Sequence, residues 1–382
     1  MKFFLCTAFI SSFGFFVFNF CYSQGCCSGG SGSPIAGGGS QGVLGQQQME
    51  IASCYQYIFS NKFLEKDHDT KPLFDHFKSD YIYSKVGYGL TKDFSVSLEM
   101  GYYLNKAQIG LRDSITGHLL NPYDSLHTKG IADLIIFPKY EIYNHVDSSK
   151  KVELVLGLGY KFPLGRYDDS AIVFHNSLNG KNTYAIMPPL VQPTNGSNDF
   201  IFYSFFLRGF PKHNFRLFAN ATYIKKGWNP LGYKFGDYAG VGIFAGKTFF
   251  KKLGITLQLK GEWIDSMRYN KNIDMVALYG IYVGSTGSKK ISFVPQINYS
   301  WKNLTVYVLK DFPIYEYVNG VQVRTQRLYT FGLSYRFFTV KNPVCSPYDN
   351  ADVYECPMKC EGFTYDKAGK CRVCGMKLEK KK

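Results

Sequence analysis

Apolar and polar residues alternate with a period of two along much of the chain. In one example, Ile255, Leu257 and Leu259 alternate with Thr256 and Gln258. A period of two places successive side chains on opposite faces of an extended strand. The pattern therefore predicts β-strands that have one apolar face and one polar or small face.

Twelve segments carry this pattern, with Val155 as an apolar exception in a polar series. We predict strands at 48–60, 79–90, 94–104, 131–143, 151–163, 199–210, 214–225, 236–249, 254–266, 289–300, 303–313 and 327–338. They are at least as long as the roughly 9–11 residues that cross a membrane. No later segment has the long apolar run of a membrane helix.

The connections between these strands alternate between short and long. Thr91–Asp93 and Trp301–Lys302 are short, whereas Asn105–Gly130 and Leu164–Asn198 are long. A water-soluble β-sandwich has similar strands, but short turns on one side and long loops on the other are typical of outer-membrane barrels. We therefore predict an all-β fold, a transmembrane antiparallel up-and-down barrel at residues 48–338, with both termini in the periplasm.

Two segments near the third long loop resemble a known family. Residues 159–167 read Gly-Tyr-Lys-Phe-Pro-Leu-Gly-Arg-Tyr, and residues 192–199 read Gln-Pro-Thr-Asn-Gly-Ser-Asn-Asp. They are similar to the Lys-x-Pro-Thr-Gly and Gln-Pro-Gly-x-Gly-Ser-x-Asp pattern of a family of outer-membrane transporters named for the meta-cleavage pathway of phenol degradation. Leu164 and Thr194 depart from that pattern. The resemblance implies the barrel fold rather than a particular cargo.

The first residues have the form of an export signal. Lys2 precedes an apolar run that ends near Phe20, and small residues follow it. This order predicts a secretory signal peptide at 1–24; a membrane anchor helix is the alternative. Residues 25–47 are rich in Gly and Ser, which predicts a flexible segment. Cys26 and Cys27 in that segment could also serve a plug or a soft-metal relay.

The end of the chain is rich in cysteine. The candidate metal ligands are Cys356, Cys360, Cys371 and Cys374, assisted by Met358 or Met376. The spacing Cys-x3-Cys, ten residues, Cys-x2-Cys allows two turns to direct four sulfurs at one ion. Thiolates favour soft or borderline metals, and thioethers favour Cu(I), so we predict Cu(I) or Zn(II). Disulfide bonds between these cysteines are the alternative in an exported protein.

This tail also resembles a known domain. Residues 354–358 (Tyr-Glu-Cys-Pro-Met) and 369–378 are similar to the short heavy-metal-binding domain of copper and silver efflux proteins and heavy-metal ATPases. In that domain a His and a Pro occupy the positions of Lys359 and Cys360, and a Pro occupies that of Arg372. The resemblance implies metal binding by a module at 354–382, after a linker at 339–353, and periplasmic metal-efflux components as partners.

Charge adds little to this prediction. The formal net charge is +15, and a strongly basic protein can bind nucleic acid. An export signal and a barrel argue against that partner, so we expect outer-membrane lipid and metal ions as partners and no nucleic acid. His68 and His76 in the first outer loop match no compact ligand motif.

One segment of the third long loop allows an enzymatic interpretation. His175, Ser177 and Asn179 faintly resemble the catalytic residues of outer-membrane phospholipases, but they fall in a loop and not on barrel wall. We therefore expect no enzyme activity. The sequence predicts an outer-membrane protein for heavy-metal binding and transport, in which the tail exchanges an ion with the barrel or an efflux partner. A passive porin for small organic molecules with a disulfide-bonded tail is the alternative, and a surface barrel that binds partners is a third.

Overall fold

The computed structural model describes most of the chain after residue 41. The described residues are 42–112, 119–146, 150–176, 180–250, 252–275, 278, 281–340, 354–358, 364–365, 369–371 and 373–380. The predicted signal peptide, most of the flexible segment with Cys26 and Cys27, and most of the predicted linker lie outside these residues. Cys360, Ser177 and Asn179 lie outside them as well.

Twelve long strands form one barrel. They are β1 (Gln48–Ser60), β2 (Phe74–Gly89), β3 (Phe94–Arg112), β4 (Leu119–Val146), β5 (Lys151–Pro163), β6 (Asp199–Phe210), β7 (Phe215–Lys225), β8 (Tyr238–Phe249), β9 (Leu253–Ile264), β10 (Ser288–Trp301), β11 (Leu304–Val323) and β12 (Arg327–Phe338). Each strand pairs antiparallel with its neighbours in the sequence. The predicted strand count and up-and-down order are confirmed.

The sheet closes through its first and last strands. β1 pairs with β12 from Gln48 opposite Phe338 to Phe59 opposite Arg327. Pairing along nearly the whole of both strands leaves no open edge, which is the requirement for a sheet in lipid. Within the described residues, no helix is long and apolar enough to cross a membrane.

The two ends of the barrel differ. At one end, here called the turn end, adjacent strands are joined by a few residues, and Asn214, Phe250 and Lys302 adopt left-handed backbone conformations there (φ 49°, 50° and 52°). At the other end, the loop end, the connections include residues 164–198 and 265–287. The predicted alternation of short and long connections is present at all but the last outer connection, where β11 and β12 are separated only by residues 324–326.

The apolar face of the strands points outward. Leu98, Leu158 and Ile243 are 50%, 53% and 59% exposed, whereas Glu50 and Glu99 are almost completely buried. This inverts the arrangement of a soluble protein, as expected when the outer surface contacts lipid. The predicted division into an apolar and a polar face is confirmed, with the apolar face outside.

Four strands are longer than the alternation predicts. β2 begins at Phe74, β3 continues to Arg112, β4 begins at Leu119 and β11 continues to Val323. The segment predicted as the loop Asn105–Gly130 is therefore largely a paired hairpin, whose register shifts between Tyr103 and Lys106. Backbone pairing continues beyond the apolar band, where lipid no longer imposes alternation on the side chains.

Short elements cover the loop end. They are the strands Phe63–Lys66 and His68–Thr70, the hairpin Ser170–Asn176 with Lys181–Ile186, the pair Tyr233–Lys234 with Arg268–Tyr269, and a 3-10 turn at Val283–Ser285; another 3-10 turn, Pro211–His213, lies at the turn end. His68 and His76 contact the adjacent Asp67 and Asp75 at 2.5 Å and 2.7 Å. Neither histidine joins a cluster of possible metal ligands among the described residues.

Candidate metal centre and barrel lumen

A small sheet positions the first cysteine of the tail. Tyr354–Glu355 is the central strand, with Thr364–Tyr365 on one side and Glu379–Lys380 on the other. Cys356 follows this strand directly. Pairing on both sides fixes the backbone from which the Cys356 side chain leaves.

A tight turn positions the other two described cysteines. The Gly375 N–H donates to the Cys371 carbonyl oxygen at 2.8 Å, and the Cys371 N–H donates to the Met376 carbonyl oxygen at 2.6 Å. Gly375 has φ +73°, a conformation that strongly favours glycine. Gly375 thus returns the chain so that Cys371 and Cys374 project to the same side.

The three sulfurs lie close together. The Sγ atoms of Cys356, Cys371 and Cys374 all lie within 4.8 Å of one another, and Cys356 Sγ is 3.3 Å from Cys374 Sγ. A disulfide bond is about 2.05 Å long, whereas sulfurs about 2.3 Å from one tetrahedral zinc are about 3.8 Å apart. The separations are longer than a disulfide bond and short enough for the three sulfurs to hold one ion.

Apolar side chains surround these sulfurs. All three cysteines are buried together with Met376 and Leu378, and Tyr354, Met358 and Val373 pack against them. This shell keeps water from the thiols and adds one buried and one half-buried thioether. The donor set is chemically soft, which suits Cu(I) and Zn(II) and disfavours Mg²⁺ or Ca²⁺. Two of the six predicted ligands are thioethers. The fourth predicted thiol ligand, that of Cys360, lies outside the described residues.

Another cysteine lies far from this group in sequence. Cys54 is buried on the inner face of β1, in an apolar cluster with Tyr81, Tyr83 and Tyr307. It is therefore part of the barrel wall. A disulfide bond between Cys54 and Cys26 or Cys27 would involve residues outside those described.

At the loop end, part of the third outer loop returns into the barrel. This infolded segment, residues 187–198, contains Val191 and Gln192, which are fully buried. Lys106 Nζ donates to the Gln192 carbonyl oxygen at 2.8 Å, and Thr128 Oγ1 donates to that of Val191 at 2.5 Å. The segment is thus bound to the inner faces of β3 and β4.

Lys161 on β5 joins the infolded segment to the wall. Its Nζ lies 2.9 Å from Asp199 Oδ2 and 3.3 Å from Asp133 Oδ2, and it also donates to Asn195 Oδ1. Thr194 Oγ1 donates to Asp133. One buried ammonium group therefore holds two strands and the loop together.

A second acidic group secures the neighbouring connection. Asp237 accepts hydrogen bonds from Lys225 Nζ at 2.7 Å, from the Lys226 N–H at 2.9 Å and from the Tyr223 hydroxyl at 3.2 Å, and it also pairs with Lys234. Burial alone would raise the pKa of Asp237, but the lysine and backbone donors lower it to about 2. The donors therefore favour the charged form of this carboxylate.

The contacts of the infolded segment explain the sequence motif at residues 159–167 and 192–199. A Cβ on Gly165 would lie 1.9 Å from the Ile131 carbonyl oxygen, and Gly196 has φ +70°. Gln192 donates from Nε2 to the carbonyl oxygens of Asp169 and Met187 at 2.9 Å and 3.0 Å. The motif residues fold the loop inward, and the lysine and aspartate of the pattern, Lys161 and Asp199, are ion-pair partners.

We expect Lys161→Met to loosen the infolded segment. The substitution removes the ion pair of the half-buried Asp133 and leaves the buried Asp199 with Lys226 as its remaining positive partner; breaking a buried pair costs up to about 3–5 kcal/mol. Limited proteolysis within residues 187–198 should become faster, and the unfolding midpoint in urea should fall.

Lys225→Met provides the matched control. Its side chain is half exposed and pairs with Asp237 at 2.7 Å, and such surface pairs contribute little to stability. Equal proteolysis of the two variants would contradict the role assigned to Lys161.

Comparison with known proteins agrees with both parts of the chain. Residues 353–381 match the family model described as a heavy metal binding domain. A search of curated proteins gave no match. Among solved structures, an outer membrane channel from Pseudomonas putida F1 superposes with a TM-score of 0.54 at 10% identity, over 78% of this chain and 98% of that one.

Two further solved barrels overlap less closely. The β domain of the Bordetella autotransporter BrkA gives a TM-score of 0.39 at 10% identity, over 76% of this chain and 98% of that one. A KdgM porin gives 0.34 at 10% identity, over 75% and 99%. The chain thus joins a twelve-stranded barrel with an outer-membrane fold to a C-terminal heavy metal binding domain.

Proposed function

We propose that this protein captures a soft metal ion at its C-terminal domain and takes part in heavy-metal transport at the outer membrane. The observation that carries the proposal is the convergence of three buried thiols, those of Cys356, Cys371 and Cys374. The ion is the cargo, copper-group or zinc, and ligand exchange is the mechanism.

The three thiols are the core of the proposed ligand set. Cys360 completes a four-thiolate site that suits Zn(II). Met376 or Met358 in its place completes a thiolate–thioether site that suits Cu(I). Both thioethers already lie in the cluster that contains the three described cysteines.

Two properties of the site suit capture and release. Sulfur ligands must lose their protons before they bind a metal, and the exposed Lys370 beside Cys371 favours the thiolate form. The domain is small and the site lies close to its surface. A partner thiol can therefore approach and take the ion by stepwise ligand exchange, without unfolding of the barrel.

We further propose that the turn end faces the periplasm. In outer-membrane barrels the short turns are periplasmic and the long loops are extracellular. β1 begins and β12 ends at the turn end, so both termini and the metal-binding domain belong to the periplasm. That location gives the domain access to periplasmic metal-efflux components.

The full-length protein in detergent, kept reduced, should bind one equivalent of Zn(II) or Cu(I) with a dissociation constant below micromolar. Cys371→Ser should weaken binding at least about tenfold, because a hydroxyl replaces a thiolate ligand. Competition with a chromophoric chelator measures the affinity.

Cys54→Ser is the control for that titration. Cys54 is a buried cysteine of the barrel wall, so its substitution should leave the stoichiometry and affinity unchanged. Binding weaker than micromolar in the reduced wild-type protein would overturn the metal proposal.

An epitope tag after Lys382 should be inaccessible to antibody in intact cells and accessible after the outer membrane is permeabilised. A tag inserted between Ser170–Asn176 and Lys181–Ile186, at the loop end, should be accessible in intact cells. Labelling of the C-terminal tag in intact cells would reverse the proposed orientation.

A passive channel is the second candidate function. It is favoured by the similarity of the barrel to a protein described as an outer membrane channel. If the barrel alone conducts, removal of residues 345–382 should leave the single-channel conductance in planar bilayers unchanged while it abolishes metal binding. A conductance that requires the tail would favour the metal proposal.

A further inference from the structure

One level of the lumen wall combines aromatic and amide side chains. Leu207, Phe218, Phe244, Gln258 and Val294 are direct register neighbours across β6 to β10, and all five are buried on the inner face. The strand register therefore places the amide of Gln258 between an aromatic ring and an aliphatic side chain.

The aromatic half of this level is ordered by stacking. The rings of Phe218 and Phe244 lie 4.4 Å apart at an interplanar angle of 10°, and Phe205 lies 6.0 Å from Phe218. These inward-facing rings form a continuous apolar surface that ends at Gln258. A flat ring could extend this stack.

The polar half contains hydrogen-bonding atoms without partners. Neither Nε2 nor Oε1 of Gln258 has a hydrogen-bond partner in the part of the chain that the structure describes, and the same holds for Thr256 Oγ1, Ser292 Oγ and Thr330 Oγ1. These residues are at most 3% exposed. Buried polar atoms in native proteins nearly always have a partner, so this group indicates a bound molecule or ordered water in the lumen.

The charge and chemistry of the level limit what could bind. The ammonium group of Lys260 is paired with Asp311 and Glu262. The Nε atom of the buried Arg216, whose register neighbour Gly246 lies opposite Thr256, has no hydrogen-bond partner in the described part of the chain. A cation would therefore lose its hydration there beside a guanidinium group and without a free counter-charge. β8, β9 and β10 contain no Cys, His or Met, so a soft metal ion would find no preferred ligand.

We propose that the lumen contains a binding site, centred on Gln258 and Phe244, for a molecule that carries a ring and an amide or hydroxyl group. The ring extends the Phe218–Phe244 stack, and the polar group exchanges hydrogen bonds with the amide of Gln258. Thr256 and Ser292 provide further donors and acceptors on either side. This site does not depend on the metal-binding domain.

The test uses 4-fluorobenzamide as the probe and the full-length protein in detergent micelles. The 19F resonance of the probe should broaden on addition of protein, relative to empty micelles. Gln258→Leu should weaken binding about fivefold or more, because both hydrogen bonds are lost while volume is kept. Gln46→Leu, the same change on an exposed residue that precedes β1, should leave binding unchanged.

A second probe separates the ring from the polar group. Fluorobenzene, which lacks the polar group, should bind at least fivefold more weakly than the amide. Equal binding of fluorobenzene, equal binding by the Gln258→Leu protein, or no binding by the wild type would overturn the assignment. Phe244→Leu is the second variant: it should weaken all ring-bearing probes while the barrel stays folded, as judged by heat-dependent migration in gels.

Discussion

The structure depends on one constraint: in hydrocarbon, every backbone N–H and C=O must find a partner within the protein. An open sheet edge would leave a whole row of such groups unpaired. The pairing of β1 with β12, from Gln48–Phe338 to Phe59–Arg327, removes that edge. Closure then decides the side on which each residue lies, because successive side chains of a strand alternate between lipid and lumen.

Closure also creates an interior that must accommodate polar groups. Glu50, fully buried on β1, lies 2.9 Å from Lys85 Nζ and 2.7 Å from Arg336 Nε. The lumen is not uniformly polar, however. Phe137, Val155 and the inward-facing aromatic side chains of β6 to β8 form an apolar half of the inner wall. The other half is rich in amides and hydroxyls. The inner wall of the barrel is therefore of two kinds.

The sequence predicts the parts of this fold that lipid imposes. Alternation located the twelve strands, since a side chain in the apolar band must be apolar. Alternation could not locate the extended hairpin of β3 and β4, because outside the apolar band that contacts lipid either face of a strand can be polar. Nor could it show the infolded segment, whose hydrogen bonds join residues as distant as Lys161 and Asn195. Val155 stood out as an exception and proves to be part of the inner apolar cluster; the significance of Gln258 follows only from its register.

The candidate metal centre could be predicted more fully, since local spacing determines it. Cys371, Cys374 and Gly375 lie within one turn, and a single return of the chain brings in Cys356. The two parts of the protein therefore differ in chemistry: the tail offers sulfur, whereas β8 to β10 contain no Cys, His or Met. Under the proposed function, a soft ion held by the tail would gain no preferred ligand by moving onto that wall. Transfer of the ion to another sulfur-bearing partner would then be favoured over transfer to the barrel.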